Sequence, residues 1–536
     1  MLIQLIFKVI DVIFIPQKCR LFGTPIVTNY KMKLHPLKFF LLVAITTTLL
    51  FAFSNATWQS KFLKLNADGS ITYFPDKQGN TIPDFSRVGY HHGDKAIPDV
   101  KVVKTLTVPT SGDSEKLIQQ AIDEVAKLKP NSMGHRGAIL LKKGTYKIPG
   151  VIRINTGGIV LRGEKGTVLV ATGKLKRNLI VVSGDGDVKE VNGTRVKITD
   201  DYVPVGAKSF KVKSAKDYQV GDDIIVYRPA TEKWIADLKM DKIVPKSDTR
   251  QWDTKSYNFP FERKITKIEG NTIFIDNPIV MAMEAQYGGG EVYKYTFTGR
   301  IKEVGIENLE IQSEYANDTD EEHGWIAVQF NKVENAWARN IVSKYFGYSC
   351  VSLERGAKKV TVIDSKCLDG KSQITGGRRY SFNNVGQQNL FMNLETTEGR
   401  HDYVTAAQVL GPNVFYNCKA SKTHSDIGPH HRWTMGTLYD NVVTDGQMNV
   451  QDRGNSGTGH GWAGVNQVFW NCRAKEITLQ NPYVSGKNYA IGVIAEKRIN
   501  TKLGDRPDGE WEGQNKEGLQ PSSLYIAQLN ARKNLK

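Results

Sequence analysis

The sequence predicts an all-β chain wound as a parallel β-helix, a solenoid of stacked coils with an N-terminal capping helix and an inserted small β-domain. Three features carry that expectation: a short repeat, an amphipathic helix ahead of it, and a stretch where the repeat stops. The repeat is a six-residue strip, apolar first, Asn or Asp third, mostly small or apolar after: IENLEI (306–311), ARNIVS (338–343), VIDSKC (362–367), FMNLET (391–396), FYNCKA (415–420), YDNVVT (439–444) and FWNCRA (469–474). Aligned on Asn308, Asn340, Asp364, Asn393, Asn417, Asn441 and Asn471, the strips recur after 32, 24, 29, 24, 24 and 30 residues. No helical period gives such steps, whereas coils that return to one strand through loops of variable length do. The recurring Asn is expected to turn inward at a bend and to bond its neighbours above and below, as a buried amide must.

Taken from the N-terminus, the first segment stands outside that fold. Met32 to Lys38 form a basic start, Phe39 to Phe53 an apolar run and Ser54-Asn55-Ala56 a small-residue end, so residues 32–56 read as a secretory signal peptide and 1–31 as an upstream mis-start. The apolar run is short for a membrane span. The expected location is therefore secreted or periplasmic. Removing 1–56 takes away six Lys/Arg and one acid, lowering the formal net charge from +17 to +12 and leaving 480 residues. A basic exported chain of that size faces something anionic, and an acidic polysaccharide or oligosaccharide is the expected partner rather than nucleic acid or a membrane, with the chain acting as a monomer. Cys350, Cys367, Cys418 and Cys472 follow the leader. Cys418 and Cys472 each follow a ladder Asn with a whole coil between, about 9.6 Å for two coil rises, which is beyond disulfide reach. They read as small core residues.

Residues 57–99 are polar and turn-rich and read as an extension lying on the body. Over 113–128, Leu117, Ile118, Ala121, Ile122, Val125 and Leu128 share one helical face. An open β-helix end exposes strand edges that must be covered, so this helix is expected to cap the first coils, residues 100–185. Residues 186–296 lose the repeat and show β-alternation broken by turns, the signature of an inserted β-domain; its Trp234 and Trp252 suit either sugar stacking or a local aromatic core. Coils resume over 297–500, and 501–536 form a C-terminal tail.

The order DSEKLIQQAID, GAILLKKGTYKI and IVLRGE resembles the entry segment of the pectate-lyase-like superfamily of polysaccharide lyases and glycoside hydrolases. The resemblance covers about residues 100–175 and 296–495. It implies a right-handed helix and an activity on polysaccharides, several chemistries sharing that scaffold.

Loops that leave successive coils at one offset from the ladder residue fall in columns. His401 lies eight residues past Asn393 and His424 seven past Asn417, so the two are expected to be neighbours; Arg378, Arg379 and Tyr380 follow Asp364 one coil earlier. His430, His431 and Arg432 come next, then Arg453, His460 and Trp462. Six of the nine His after the leader lie between 323 and 460, more than a scaffold needs. Imidazoles, guanidiniums and a phenol suit β-elimination on a uronate: arginine holds the carboxylate, and His or Tyr takes the C5 proton and protonates the leaving O4. His401 and His424 are expected as base and acid in unassigned order, with Arg432 also catalytic on the carboxylate. Arg378, Arg379, Tyr380, His430, His431, Arg453, His460 and Trp462 are expected to bind substrate. His424→Ala should then abolish turnover. Ulvan-, alginate- or pectin-type chains all fit, and the same machinery on a non-reducing-end uronate is a dehydratase. Asp402 and Asp426 share an offset and keep glycoside hydrolysis open. They are also oxygen donors of the kind Ca²⁺ takes, though too few to predict a site. No cofactor and no metal are expected, the adjacent His430 and His431 lacking zinc spacing. A glycan-binding β-helix without catalysis is the remaining alternative.

Overall fold

A computed structural model describes residues 57–110, 113–500 and 503–534. The expected signal peptide and the segment before it lie outside the described residues. Twelve strands stack in one parallel column: Val102–Leu106, Gly137–Leu141, Ile159–Gly163, Gly305–Ser313, Val333–Lys344, Lys358–Ile363, Leu390–Met392, Asn413–Tyr416, Thr437–Asp440, Val468–Trp470, Tyr489–Ile491 and Glu510–Glu512. Each coil then turns into a second and a third parallel sheet, the third holding Arg177–Ser183, Gly324–Asn331, Ser349–Leu353, Phe382–Asn384, Tyr403–Thr405 and Asp426–Pro429. The seven strips stack in the predicted register: Ile306 faces Ala338, which faces Val362, and Phe391, Phe415, Tyr439 and Phe469 follow in line. The column also runs past residue 500, so Glu510–Glu512 is a last coil rather than tail.

The ladder sits at the bend, but on the outside. Asn340, Asp364, Asn393 and Asn417 are exposed and the other three half-buried. All seven hold φ between 52° and 59°, the left-handed region that Asn and Asp tolerate better than other non-glycine residues. What repeats is therefore a backbone requirement, and the amides bond along the surface: Asn340 Nδ2 donates to Asn308 Oδ1 at 2.9 Å, Asn393 to Asp364 at 2.9 Å, Asn417 to Asn393 at 2.7 Å and Asn471 to Asn441 at 2.9 Å. Asn417→Ala should cost about 1–2 kcal/mol from the left-handed backbone, and Asn417→Gly clearly less. Equal losses in thermal denaturation would make the amide bond, not φ, the reason for the repeat.

Alternation explains what covers the column. Phe391, Phe415, Tyr439 and Phe469 point inward and pack ring on ring, with centroids 4.6, 5.3 and 5.3 Å apart. Their predecessors Leu390, Val414, Leu438 and Val468 then face outward, and they are buried too. The extension covers them with Leu63, Phe85 and Val88, joined by Leu524 and Tyr525 of the C-terminal helix Leu524–Asn534. Asp440 anchors that helix, accepting from Ser523 Oγ at 2.7 Å and Tyr525 N at 2.8 Å. At the other end, the helix Ser114–Ala126 is capped by Asp113 and packs Ile118, Ala121, Ile122 and Val125 into the first coils, while Leu128 is left exposed. No described helix is long and apolar enough to cross a membrane.

The insertion is an antiparallel sheet with its own core, and it docks on the coils. Trp433 meets Trp234 edge-on at 5.2 Å, and the Trp462 indole donates to Leu238 O at 3.1 Å. Each such ring removes ~150–250 Å² from water. Trp234 is fully buried and Trp252 stacks on Tyr257 at 4.2 Å, so both belong to this local aromatic core and neither presents a face to a sugar.

Candidate active site

Tyr380 and His401 come just ahead of the strands Phe382–Asn384 and Tyr403–Thr405. Asp426 opens Asp426–Pro429, His430 and His431 follow it, and Arg453 and His460 lie in the loop after Gln447–Val450. Because these strands occupy successive coils, their flanking residues converge. Ring centroids stand 4.5 Å apart for His401 and His430, 5.0 Å for His430 and His431, 5.2 Å for His430 and His460, and 4.7 Å for His431 and His460. Tyr380 lies 5.0 Å from His401 and 5.4 Å from His430.

The cluster is graded from floor to mouth. His401 is fully buried and its Nδ1 donates to the Asp426 carbonyl at 2.8 Å, which leaves the lone pair on Nε2, an atom with no protein partner. Nδ1 of His430, His431 and His460 also lacks one, and the His431 and His460 rings are half-buried. Asp426 Oδ2 accepts from Arg453 Nη1 at 2.9 Å and Oδ1 from Ser425 at 3.0 Å. Burial, reinforced by neighbouring imidazoles and arginines, keeps the four rings neutral: His401 and His460 are pushed down to about 4, His431 to about 3, and His430 further. Burial acts the other way on Asp426, but Arg453 and then His401 overcome it and hold the carboxyl well below the usual range. Burial raises the Tyr380 phenol, and the nearby Arg400 guanidinium offsets part of that.

A run of half-buried rings on earlier coils leads to this cluster. Trp325 stacks on Tyr348 at 6.0 Å, Tyr348 on Tyr380 at 5.0 Å, and Lys176 Nζ sits 3.5 Å over Trp325. On the other side, a cleft of about 420 Å³ opens between the insertion and the coils, with Lys239, Lys242, Arg453 and Arg506 in its wall.

Of the expected residues, Tyr380, His401, His430, His431, Arg453 and His460 come together and five do not. His424 is not beside His401: carrying the Val404–Gly428 register back three residues sets His401 opposite Ser425, and His424 points to Glu398, 2.8 Å away. One residue of slip turns a side chain to another face. Arg378 pairs with Glu321 at 2.6 and 2.9 Å. Arg379 is buried on the Ser372 carbonyl, Arg432 is spent on the Thr458 carbonyl, and Trp462 lies inside the docking core. Asp402 does not pair with Asp426 either. It is fully buried with Ser381 Oγ donating at 2.8 Å, and burial pushes it up to about 6. Tyr348, Trp325 and Arg400 were missed, though an aromatic at or just ahead of the start of Gly324–Asn331, Ser349–Leu353 and Phe382–Asn384 was a visible signal. His430 groups not with His431 but with His401 and Asp426, one donor atom of each lying within 4.8 Å of the others.

No protein-family model and no curated protein matches the sequence. Solved structures are similar over most of the chain. The tailspike protein gp49 of Pseudomonas phage LKA1 is 11% identical over 73% of this chain and 69% of its own, with a TM-score of 0.38. An alginate lyase from Paenibacillus sp. str. FPU-7 is 8% identical over 78% and 99%, TM-score 0.37. The surface adhesin PfbA of Streptococcus pneumoniae is 10% identical over 76% and 88%, TM-score 0.35. The likeness is one of fold. By its own strand pairing the chain is a parallel β-helix, the winding that its sequence predicts. In this β-helix the third sheet presents the His cluster, and the inserted domain walls one side of it.

Proposed function

We propose that the protein is an exported carbohydrate-active enzyme that breaks uronate-containing polysaccharides by β-elimination at the His cluster. The observation that carries this reading is the meeting of four imidazoles, a phenol and two guanidiniums from separate coils beside a basic cleft. Lys239 and Lys242 suit the charge of an acidic chain, and the half-buried Trp325 and Tyr348, stacked along the coils toward Tyr380, offer ring edges to a sugar. Arg453 and Arg400 would hold the uronate carboxylate. His460, whose ring is half-buried, takes the C5 proton, and the Tyr380 phenol protonates O4 as the C4–O bond breaks and a C4–C5 double bond forms. His401, with no exposed surface, supports the cluster from beneath rather than touching the sugar.

The aromatic run also favours a second reading, a glycan-binding β-helix without catalysis. Mixing the protein with ulvan, alginate and pectin separates the two. The expected result is a rise in the absorbance band of unsaturated uronates. New reducing ends without that band mean hydrolysis instead, and retention of the polymer with neither change means binding alone.

A further inference from the structure

We propose that His401, Asp426 and His430 form a binding site for one divalent transition-metal cation at the floor of the cluster. One donor atom from each of the three lies within 4.8 Å of the others, and all three residues are buried. Such N,N,O sets with room for a further ligand are the composition of catalytic zinc sites. Nitrogen donors select transition metals over Ca²⁺ and Mg²⁺, so the carboxylate site weighed from the sequence for calcium does not describe this one.

A second observation points the same way. His401 is 0% exposed, yet its Nε2 has no partner among the protein atoms, and Nδ1 of the buried His430 has none either. Leaving a buried polar atom without a partner is unfavourable, and two in adjacent rings ask for one shared acceptor of lone pairs. The surroundings are those of metal ligands. His401 donates its other nitrogen to a backbone carbonyl, which fixes the tautomer, and Asp426 is oriented by Arg453 and Ser425. Tetrahedral coordination at ~2.1 Å sets donor atoms about 3.4 Å from each other, against the 4.8 Å within which one donor atom of each residue lies here. The half-buried His431 and His460 then stand beside the cation, free to handle protons. What the cation does there rests on the proposed elimination: it would face the uronate carboxylate and acidify the C5 proton. Its binding does not depend on that reading.

The test is titration of the purified full chain, stripped with chelator, with Zn²⁺ and with Mn²⁺ alone, followed by calorimetry and elemental analysis after desalting. The expected result is about one equivalent of Zn²⁺ per chain, lost in His401→Ala and Asp426→Asn and kept in His424→Ala. Co²⁺ loading should give visible d–d absorption in the wild type and in His424→Ala, and none in His401→Ala or Asp426→Asn. Should His401→Ala fold poorly, His430→Gln, at a less buried ring, serves in its place, with circular dichroism as the control. Failure to bind either metal, or equal binding by the variants, overturns the site. Because no glycan is present, its loss leaves the elimination reading standing if the unsaturated product still forms. One bound equivalent without that product sinks the elimination reading and not the site.

Discussion

His460→Ala is expected to lower formation of unsaturated uronate by 10²–10⁴-fold, the usual worth of a positioned proton-transfer group, while His424→Ala stays within a few-fold of wild type. The contrast follows from position. His460 Nδ1 makes no hydrogen bond to the protein, and its ring stands 4.7 Å from His431 and 5.2 Å from His430. His424 is turned to Glu398 at the surface, away from that cluster. Removing the His460 ring breaks no hydrogen bond at Nδ1, so the thermal midpoint should move little. Initial rates with a single uronate polymer, together with melting curves, decide the matter. Normal rates in His460→Ala with collapse in His424→Ala would put the chemistry back in the column that the sequence suggested.

The largest stability effect is expected at Glu262. This carboxylate of the inserted domain is buried among Arg300, whose two nitrogens donate at 2.7 Å each, Lys358 at 2.9 Å and the Tyr295 hydroxyl. Lys358 belongs to a coil strand, so the network ties the insertion to the helix. Burial by itself would raise the Glu262 carboxyl, but Lys358 and Arg300 reverse that and hold it well below its ordinary value. Glu262→Gln leaves two buried cations short of their counter-ion and should cost about 3–5 kcal/mol. The pH dependence has a definite sign. Because the folded carboxyl is depressed, its contribution is complete above the unfolded value of about 4.3 and is lost as pH falls from there through the folded value. The wild type should therefore lose stability steeply below about pH 4, and the variant, already weakened at neutral pH, should show a shallower acid slope. Denaturant unfolding between pH 3 and 8 measures both. Parallel slopes would mean that other carboxylates govern acid unfolding.

The coils were legible because their cause is local. A residue that must take positive φ recurs as Asn or Asp whatever packs around it, and apolar alternation on either side sets the strand faces, so seven strips stack in the predicted register. The outward Leu390, Val414, Leu438 and Val468 were legible too. Two apolar residues in succession mark a strand buried on both faces, a sign that something must cover the column. The extension was expected on the body, but that it meets the C-terminal helix over this column was not legible, because the two come from opposite ends of the chain.

The site followed a different rule. Composition pointed to loops whose His and Tyr residues do meet in space, since those residue types cluster there. Offsets counted from the ladder then failed at His424, where a single residue sends the side chain elsewhere. Arg378, Arg379 and Arg432 show the same limit, as guanidiniums that looked free to meet a carboxylate are spent on Glu321 and on backbone carbonyls.

What the sequence determined by itself is the winding, because backbone conformation and apolar alternation are properties of a residue and its near neighbours. Which imidazoles share a floor, which carboxylate joins them and which tryptophans vanish into a docking core were decided only in three dimensions. Each of those depends on a side-chain direction and on a partner contributed by another coil or by the inserted domain.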